Sequence, residues 1–260
     1  MKLVILGAGG FLPTEEAQTA CYMLPEPGVL LDAGSGLYRL SRYLQTPSLD
    51  IYLSHTHADH TSGLDYLFAS IFKNMVAGLK APVSEEQIRS LVKRANEFLS
   101  GVRVHVAETT LATLKKKYSF RLDWRPLQVE ETLPGGGVLT HFVFDPTREE
   151  IGFRLDWPGH SLAYVTDTIA RPEAPYIEKI AGVDLLLHEC SGPGSMSKVM
   201  EQLNHSHMTA VARVAAQAHV KRLILIHKDP LGWEVDRDLP TASQIFPFIE
   251  IGQDGMEIDF

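Results

Sequence analysis

Four side chains able to bind a metal fall within six residues: His55-x-His57-x-Asp59-His60. They follow directly on the apolar run 49–53, which reads as a strand. A strand end turns alternate residues, His55 and His57, to one side, and the turn after it aims Asp59 and His60 to another. One loop can therefore serve two neighbouring metals. Imidazole with carboxylate suits zinc, manganese or iron. Chance placement of 11 histidines in 260 residues does not explain such a cluster. Two more candidates end apolar runs: Asp167 after 162–165 and His227 after 223–226. Active-site groups collect at such strand ends.

The elements that must position these groups alternate along the chain. Runs 3–6, 20–24, 29–31 and 49–53 read as strands, with a helix expected from Ser35 to about residue 44. A helix over 62–72 follows the histidine loop. Residues 84–99 form another, with Ser84 and Gln87 in capping-box positions and Gly101 closing it. Strand 102–106, helix 108–117, the turn 134–137 and strands 138–144, 151–155, 161–165 and 184–187 come next. Helix 210–218 leads to strand 223–226. No repeat or compositional break divides the chain, so one α/β domain over 1–260 is expected, with a helical insertion around 81–99.

Composition sets the outer bounds. Hydrophobic residues make up 45% and charged residues 22%, which excludes a disordered or fibrous chain. Lys and Arg number 24 against 32 Asp and Glu; the net charge of −8 argues against a nucleic-acid partner. The early apolar run 3–6 is far too short for a membrane span. Cys21 and Cys190 read as reduced, buried thiols, and the cytoplasm is the expected compartment. Gly7-Ala8-Gly9-Gly10-Phe11-Leu12-Pro13 only hints at a dinucleotide loop, because Pro13 does not open a helix cleanly. Lys115-Lys116-Lys117 reads as a solvated helix end.

The complete HxHxDH motif resembles the metallo-β-lactamase-fold superfamily. Further elements resemble it in family order over about residues 1–230: Asp32-Ala33-Gly34-Ser35-Gly36, Gly152-Phe153-Arg154-Leu155, Tyr164-Val165-Thr166-Asp167-Thr168, Asp184 through Glu189, and Leu223 through His227. The nearest branch is ribonuclease Z-like and small-phosphodiesterase-like. The resemblance implies a four-layer αβ/βα sandwich and two divalent ions, zinc first, with manganese or iron as alternatives. His55 and His57 would hold one ion; Asp59, His60 and His227 the other; Asp167 would bridge them. The family's third-motif ligand is open between Asp145, favoured by spacing, and His141, favoured by chemistry. The non-ligand catalytic histidine, paired with Glu189, is open between His205 and His207. Asp59 also counts among the residues without which hydrolysis should stop.

Two adjacent divalent ions activate a water and offset charge building on the substrate, so the expected class is hydrolysis. A small phosphodiester or similar ester is the expected substrate. Ribonuclease Z-like RNA processing, lactone or thioester hydrolysis, and a non-catalytic metal-binding role are the alternatives. No projecting RNA-binding arm is visible, and the 81–99 insertion reads as a lid over a small pocket. The expected partner is a small molecule, with no membrane and with homodimerisation left open.

Overall fold

The computed structural model describes residues 1–118 and 122–260. Strands β1 (Lys2–Gly7), β2 (Cys21–Leu24), β3 (Val29–Leu31), β4 (Leu49–Tyr52), β5 (Val102–Val106) and β6 (Asp123–Pro126) belong to a first sheet. Strands β7 (Glu130–Leu133), β8 (Gly137–Val143), β9 (Ile151–Trp157), β10 (His160–Val165), β11 (Leu185–Glu189), β12 (Arg222–Ile226) and β13 (Ile249–Ile251) form a second. The last strand, β14 (Glu257–Asp259), returns to pair antiparallel with β1. The orders are β14-β1-β2-β3-β4-β5-β6 and β13-β12-β11-β10-β9-β8-β7. In both sheets an antiparallel half adjoins a parallel one, β3 to β6 and β10 to β13.

Strand alternation explains the layers. On β1, Leu3 and Ile5 join the core that also holds Leu162 and Tyr164 of β10 and Ile224 and Ile226 of β12. Val4 and Leu6 instead join the helix-facing core of the first sheet. Ala163, Val165, Leu223 and Leu225 face the helices on the second sheet. Strands apolar on both faces need cover on both, which gives the helix–sheet–sheet–helix sandwich expected from the sequence.

The helices are α1 (Ala58–Thr61), α2 (Leu67–Ala77), α3 (Glu85–Ser100), α4 (Glu108–Lys117), α5 (Ser197–Gln202), α6 (Met208–Gln217) and α7 (Leu239–Ile245). Two expectations shift. The helix expected from Ser35 is a 3₁₀ segment, Ser35–Arg42. The Ser35 hydroxyl accepts from Thr19 N (2.9 Å) rather than capping, and a Cβ on Gly36 would lie 2.6 Å from Gly7 N. The helix over 62–72 divides into a 3₁₀ turn, Ser62–Tyr66, and α2. The segment read as a lid is α3, whose capping box is complete. It sends Ala95 and Leu99 into the first sheet's outer core, so it belongs to the helical layer of the β4-to-β5 crossover. Among the described residues no helix is long and apolar enough to cross a membrane. Cys21 and Cys190 are buried and unpaired.

Candidate metal centre

Three strand ends deliver the site, and each does so through a strained residue. Asp32 after β3, Asp167 after β10 and His227 after β12 have φ of 55°, 48° and 59°. Non-glycine residues rarely hold this left-handed conformation, and where they do it concentrates at functional sites. The histidine loop follows β4 and enters α1, which carries Asp59 and His60.

Asp32 organises the loop from beneath. Its Oδ1 accepts from Ser54 N (2.7 Å), and its Oδ2 accepts from Ser54 Oγ (2.7 Å) and Tyr164 OH (2.5 Å). His60 Nδ1 lies 2.6 Å from the same oxygen. A carboxylate can only accept, so Nδ1 carries the proton and Nε2 turns inward. The Ser54 hydroxyl hydrogen is committed to Asp32, so His55 Nδ1–H donates to Ser54 Oγ (3.0 Å). His55 Nε2 is left buried with no hydrogen-bond partner.

The inward nitrogens meet the carboxylates. His60 Nε2 lies 3.1 Å from Asp167 Oδ2, 3.4 Å from Asp59 Oδ2 and 3.3 Å from His227 Nε2. His227 Nε2 lies 3.2 Å from Asp59 Oδ2 and 3.5 Å from Asp167 Oδ2. Among the described residues three groups of three offer one ligand atom per residue, the atoms of each group lying within 4.8 Å of one another: His55, His57, Asp167; Asp59, His60, His227; and Asp167, His205, His227. Asp167 and Asp59 are held well below the usual carboxylate range: burial opposes this, but His227 and His60 outweigh it. Burial alone would push His60 down, yet Asp167 and Asp32 raise it well above its usual value. Burial, with His60 beside it, takes His55 down to about 4. Inward imidazole nitrogens facing acceptor-only carboxylates, one nitrogen orphaned, form a donor set that fits divalent cations.

Glu189 ends β11 fully buried. Its Oε1 accepts from Ser206 N (2.7 Å) and its Oε2 from Ser191 Oγ (3.0 Å), with His205 Nδ1 at 3.6 Å. The His205 ring stacks on His227, centroids 5.3 Å apart. Burial lowers its pKa, but Glu189 prevails and takes it up to about 9. His207 is elsewhere: it starts α6, with Nδ1 at 3.1 Å from Thr209 Oγ1, and joins none of the three groups. The structure thus brings His205, of the two alternatives, to the cluster.

Neither third-motif alternative joins the cluster. Asp145 is exposed, and its Oδ1 closes a local turn on Thr147 N (2.8 Å) and Oγ1 (2.6 Å). His141 lies within β8, opposite Phe153. The β8–β9 connection instead brings its later residues to the histidine loop. Ile151 N donates to Ser54 O (3.2 Å) and Thr56 Oγ1 to Glu149 Oε2 (3.1 Å). Glu150 is buried there against Arg148. Sequence reasoning missed Arg148, Glu149 and Glu150, whose one signal was charge immediately before Gly152. It also missed the hub role of Asp32, read only as part of a turn. The glycine run has a use as well: a Cβ on Gly10 would fall 2.3 Å from the His227 ring, and Phe11 N donates to Asp59 Oδ2 (2.7 Å). A cleft of about 1050 Å³ opens beside His227, with Leu12, Lys228, Asp229 and Trp233 in its walls.

The fold and the clustered His and Asp groups define a metal-dependent hydrolase of the metallo-β-lactamase type. Residues 28–228 match the model of the β-lactamase superfamily domain, and the chain belongs to that family. Ribonuclease Z of Synechococcus sp. (strain CC9605) is 26% identical over 313 aligned positions, covering 100% of this chain and 98% of the relative. Among solved structures, the metallo-β-lactamase fold protein YhfI from Bacillus subtilis superposes with a TM-score of 0.77 at 18% identity, covering 99% of each chain. A diphosphatase from the PhnP family superposes at 0.70 with 21% identity, covering 100% of this chain and 96% of the other. These relatives correct one expectation. Net charge argued against nucleic acid, yet the full-length relatives are named ribonucleases. A whole-chain charge does not report the field at one surface.

Proposed function

We propose that this chain is a ribonuclease Z-like phosphodiester hydrolase that acts on RNA. The observation that carries the reading is His205, stacked on His227 of the metal cluster and 3.6 Å from buried Glu189. A phosphodiester has a poor leaving oxygen, and a proton donor separate from the metal ligands is what its departure needs. His55, His57 and Asp167 would hold one ion and Asp59, His60 and His227 the other, with Asp167 between them. When bound, divalent ions supply an activated water and offset negative charge on the phosphoryl oxygens. The side chains do the rest. Asp32 keeps the proton on His60 Nδ1 and so fixes that ring's ligand face. Ser54 does the same for His55. Glu189, 3.6 Å from His205 Nδ1, favours the charged ring by its field, so that Nε2–H could pass a proton to the leaving oxygen.

The lysine run supports RNA as the substrate. Lys117 Nζ reaches Thr61 Oγ1 (3.3 Å), one residue past His60, so this end of α4 adjoins the metal loop. A cation beside the metal loop of a phosphodiesterase suits a polyanion. A small phosphodiester is the second reading. The Synechococcus relative aligns over 313 positions against 260 residues here, so it carries internal segments this chain lacks. The test uses the zinc-loaded chain with three substrates: an RNA bearing a 3′ extension, bis(p-nitrophenyl) phosphate, and a diphosphate ester. Chelator-sensitive cleavage of the RNA is expected. Turnover of the small esters alone selects the second reading, and turnover of no phosphorus ester overturns both.

A further inference from the structure

We infer that Arg148 is the side chain by which the site reads the negative charge of its substrate, and that Glu150 positions it. This rests on the phosphodiester reading. The β8–β9 connection is fixed to the histidine loop at two points, Ile151 N to Ser54 O (3.2 Å) and Thr56 Oγ1 to Glu149 Oε2 (3.1 Å). Between them, Glu150 is 4% exposed. Arg148 clamps it from the side: Nε donates to Oε2 (3.0 Å) and Nη2 to Oε1 (2.6 Å). An ion pair with one buried and one partly exposed member adds little stability, and this one lies in a connection outside the apolar cores. What it does achieve is a fixed guanidinium at the rim of the site.

That guanidinium has capacity to spare. Nε and one Nη2 hydrogen suffice for Glu150, and among the described residues Nη1 has no hydrogen-bond partner. The side chain keeps 38% of its surface open. The contacts of Glu149 with Thr56 and of Ile151 with Ser54 flank His55 on either side, so the pair stands on the His55–His57 side of the site. The other charged residues of the β8–β9 connection, Asp145, Glu149 and Glu150, are all acidic. A phosphodiester presents two non-bridging oxygens sharing one negative charge, which matches a guanidinium fork. A lactone or thioester presents no such charge. Arg148 would therefore select an anionic phosphoryl group over a neutral ester at the same metals.

The experiment compares wild type with Arg148→Gln, Arg148→Lys and Glu150→Gln as zinc-loaded full chains. It reads zinc content, the Kd for inorganic phosphate by calorimetry, and kcat and KM on bis(p-nitrophenyl) phosphate and p-nitrophenyl acetate. In Arg148→Gln, phosphate affinity should fall about ten- to hundredfold, the usual worth of a charged hydrogen bond. KM for the phosphodiester should rise in step, with zinc content and acetate turnover unchanged. Lysine should restore only part, because a point ammonium lacks the planar fork that clamps Glu150 and still presents a donor to a phosphate oxygen. Glu150→Gln should raise KM less than Arg148→Gln and leave kcat nearly as it was. Unchanged phosphate affinity in Arg148→Gln, zinc loss parallel to the binding loss, or no phosphate binding by wild type overturns the inference. If wild type binds phosphate but hydrolyses only the acetate, the phosphodiester reading falls; weaker phosphate binding in Arg148→Gln then still supports Arg148 as the anion reader.

Discussion

Two buried carboxylate networks, one within the first sheet and one gathered at strand ends from both sheets, are closed in opposite ways. Asp50 on β4 takes the guanidinium of Arg103 at both oxygens and His105 Nε2 at 2.9 Å. Its charge is neutralised by a residue of the same sheet. Asp32, Asp59 and Asp167 form ion pairs only with histidines; among the described residues no Lys or Arg pairs with them. Three carboxylates face imidazoles whose inward nitrogens a metal would claim, which leaves their field for a cation to meet. Where the chain builds structure it encodes the counter-ion. At the site it encodes only ligands, and the positive charge must arrive from solution.

The largest break in this contrast should come from the site's most enclosed ligand. His60→Ala removes a fully buried imidazole that faces both Asp59 and Asp167. Turnover of phosphodiester should fall by at least about 10³-fold, beyond the loss of a single oxyanion donor. Zinc per chain should drop by about one, while near-ultraviolet circular dichroism stays native. His57→Ala should cost less zinc, because His57 is the exposed member of its group. If His60→Ala keeps both ions and full turnover, the field at the cluster serves some other purpose.

Next come His205 and Glu189. His205→Ala should lower kcat about 10²–10⁴-fold, the range for a positioned proton donor, with zinc retained. Glu189→Gln acts through the same ring, so the double variant should be little worse than His205→Ala alone. His207→Ala should stay near wild type. Zinc loss in His205→Ala would instead make that ring a ligand, as its grouping with Asp167 and His227 allows.

This contrast also marks what the sequence made legible. HxHxDH, Asp167 and His227 could be read because each ends an apolar strand, and period-two alternation fixes where a strand end points. Asp32 was visible as a turn residue, but its hub role was not. Its partners Ser54, His60 and Tyr164 come from three other segments, and only the stacking of two sheets brings Tyr164 OH to it. Asp145 failed for a local reason, a turn that consumes its carboxylate on Thr147. The choice between His205 and His207 depended on Glu189 sitting inside β11, two residues beyond where the strand was expected to end. The 3₁₀ form of Ser35–Arg42 was hidden because Ser35 spends its side chain on Thr19, a contact between segments.

Asp32→Asn sharpens the comparison at intermediate size. Asparagine preserves the volume but replaces an acceptor oxygen with a donor. It can no longer accept from His60, Ser54 and Tyr164 together. Zinc affinity should weaken about 10–100-fold, the usual cost of losing a residue that orients a metal ligand. A zinc titration against a competing chelator reads this directly. An unchanged affinity would mean that packing alone holds His60.

The smallest effect is expected at Asp50, and it should be confined to stability. Burial pushes this carboxyl up, but Arg103 and His105 outweigh it and bring the pKa down to about 2. A carboxyl with a folded pKa below its unfolded value of about 3.9 stabilises the fold above that value, and the contribution is lost as pH falls toward 2. The gap of nearly two units corresponds to about 2 kcal/mol. Urea melts of wild type and Asp50→Asn should differ by a constant amount from pH 7 to about pH 5, and the difference should shrink below pH 4. Zinc content and kcat should match wild type throughout, because the Arg103 counter-ion keeps this charge apart from the metal cluster. A variant that unfolds no more readily at neutral pH, yet loses zinc, would show that the two networks are one, and that the fold does not separate structural charge from catalytic charge.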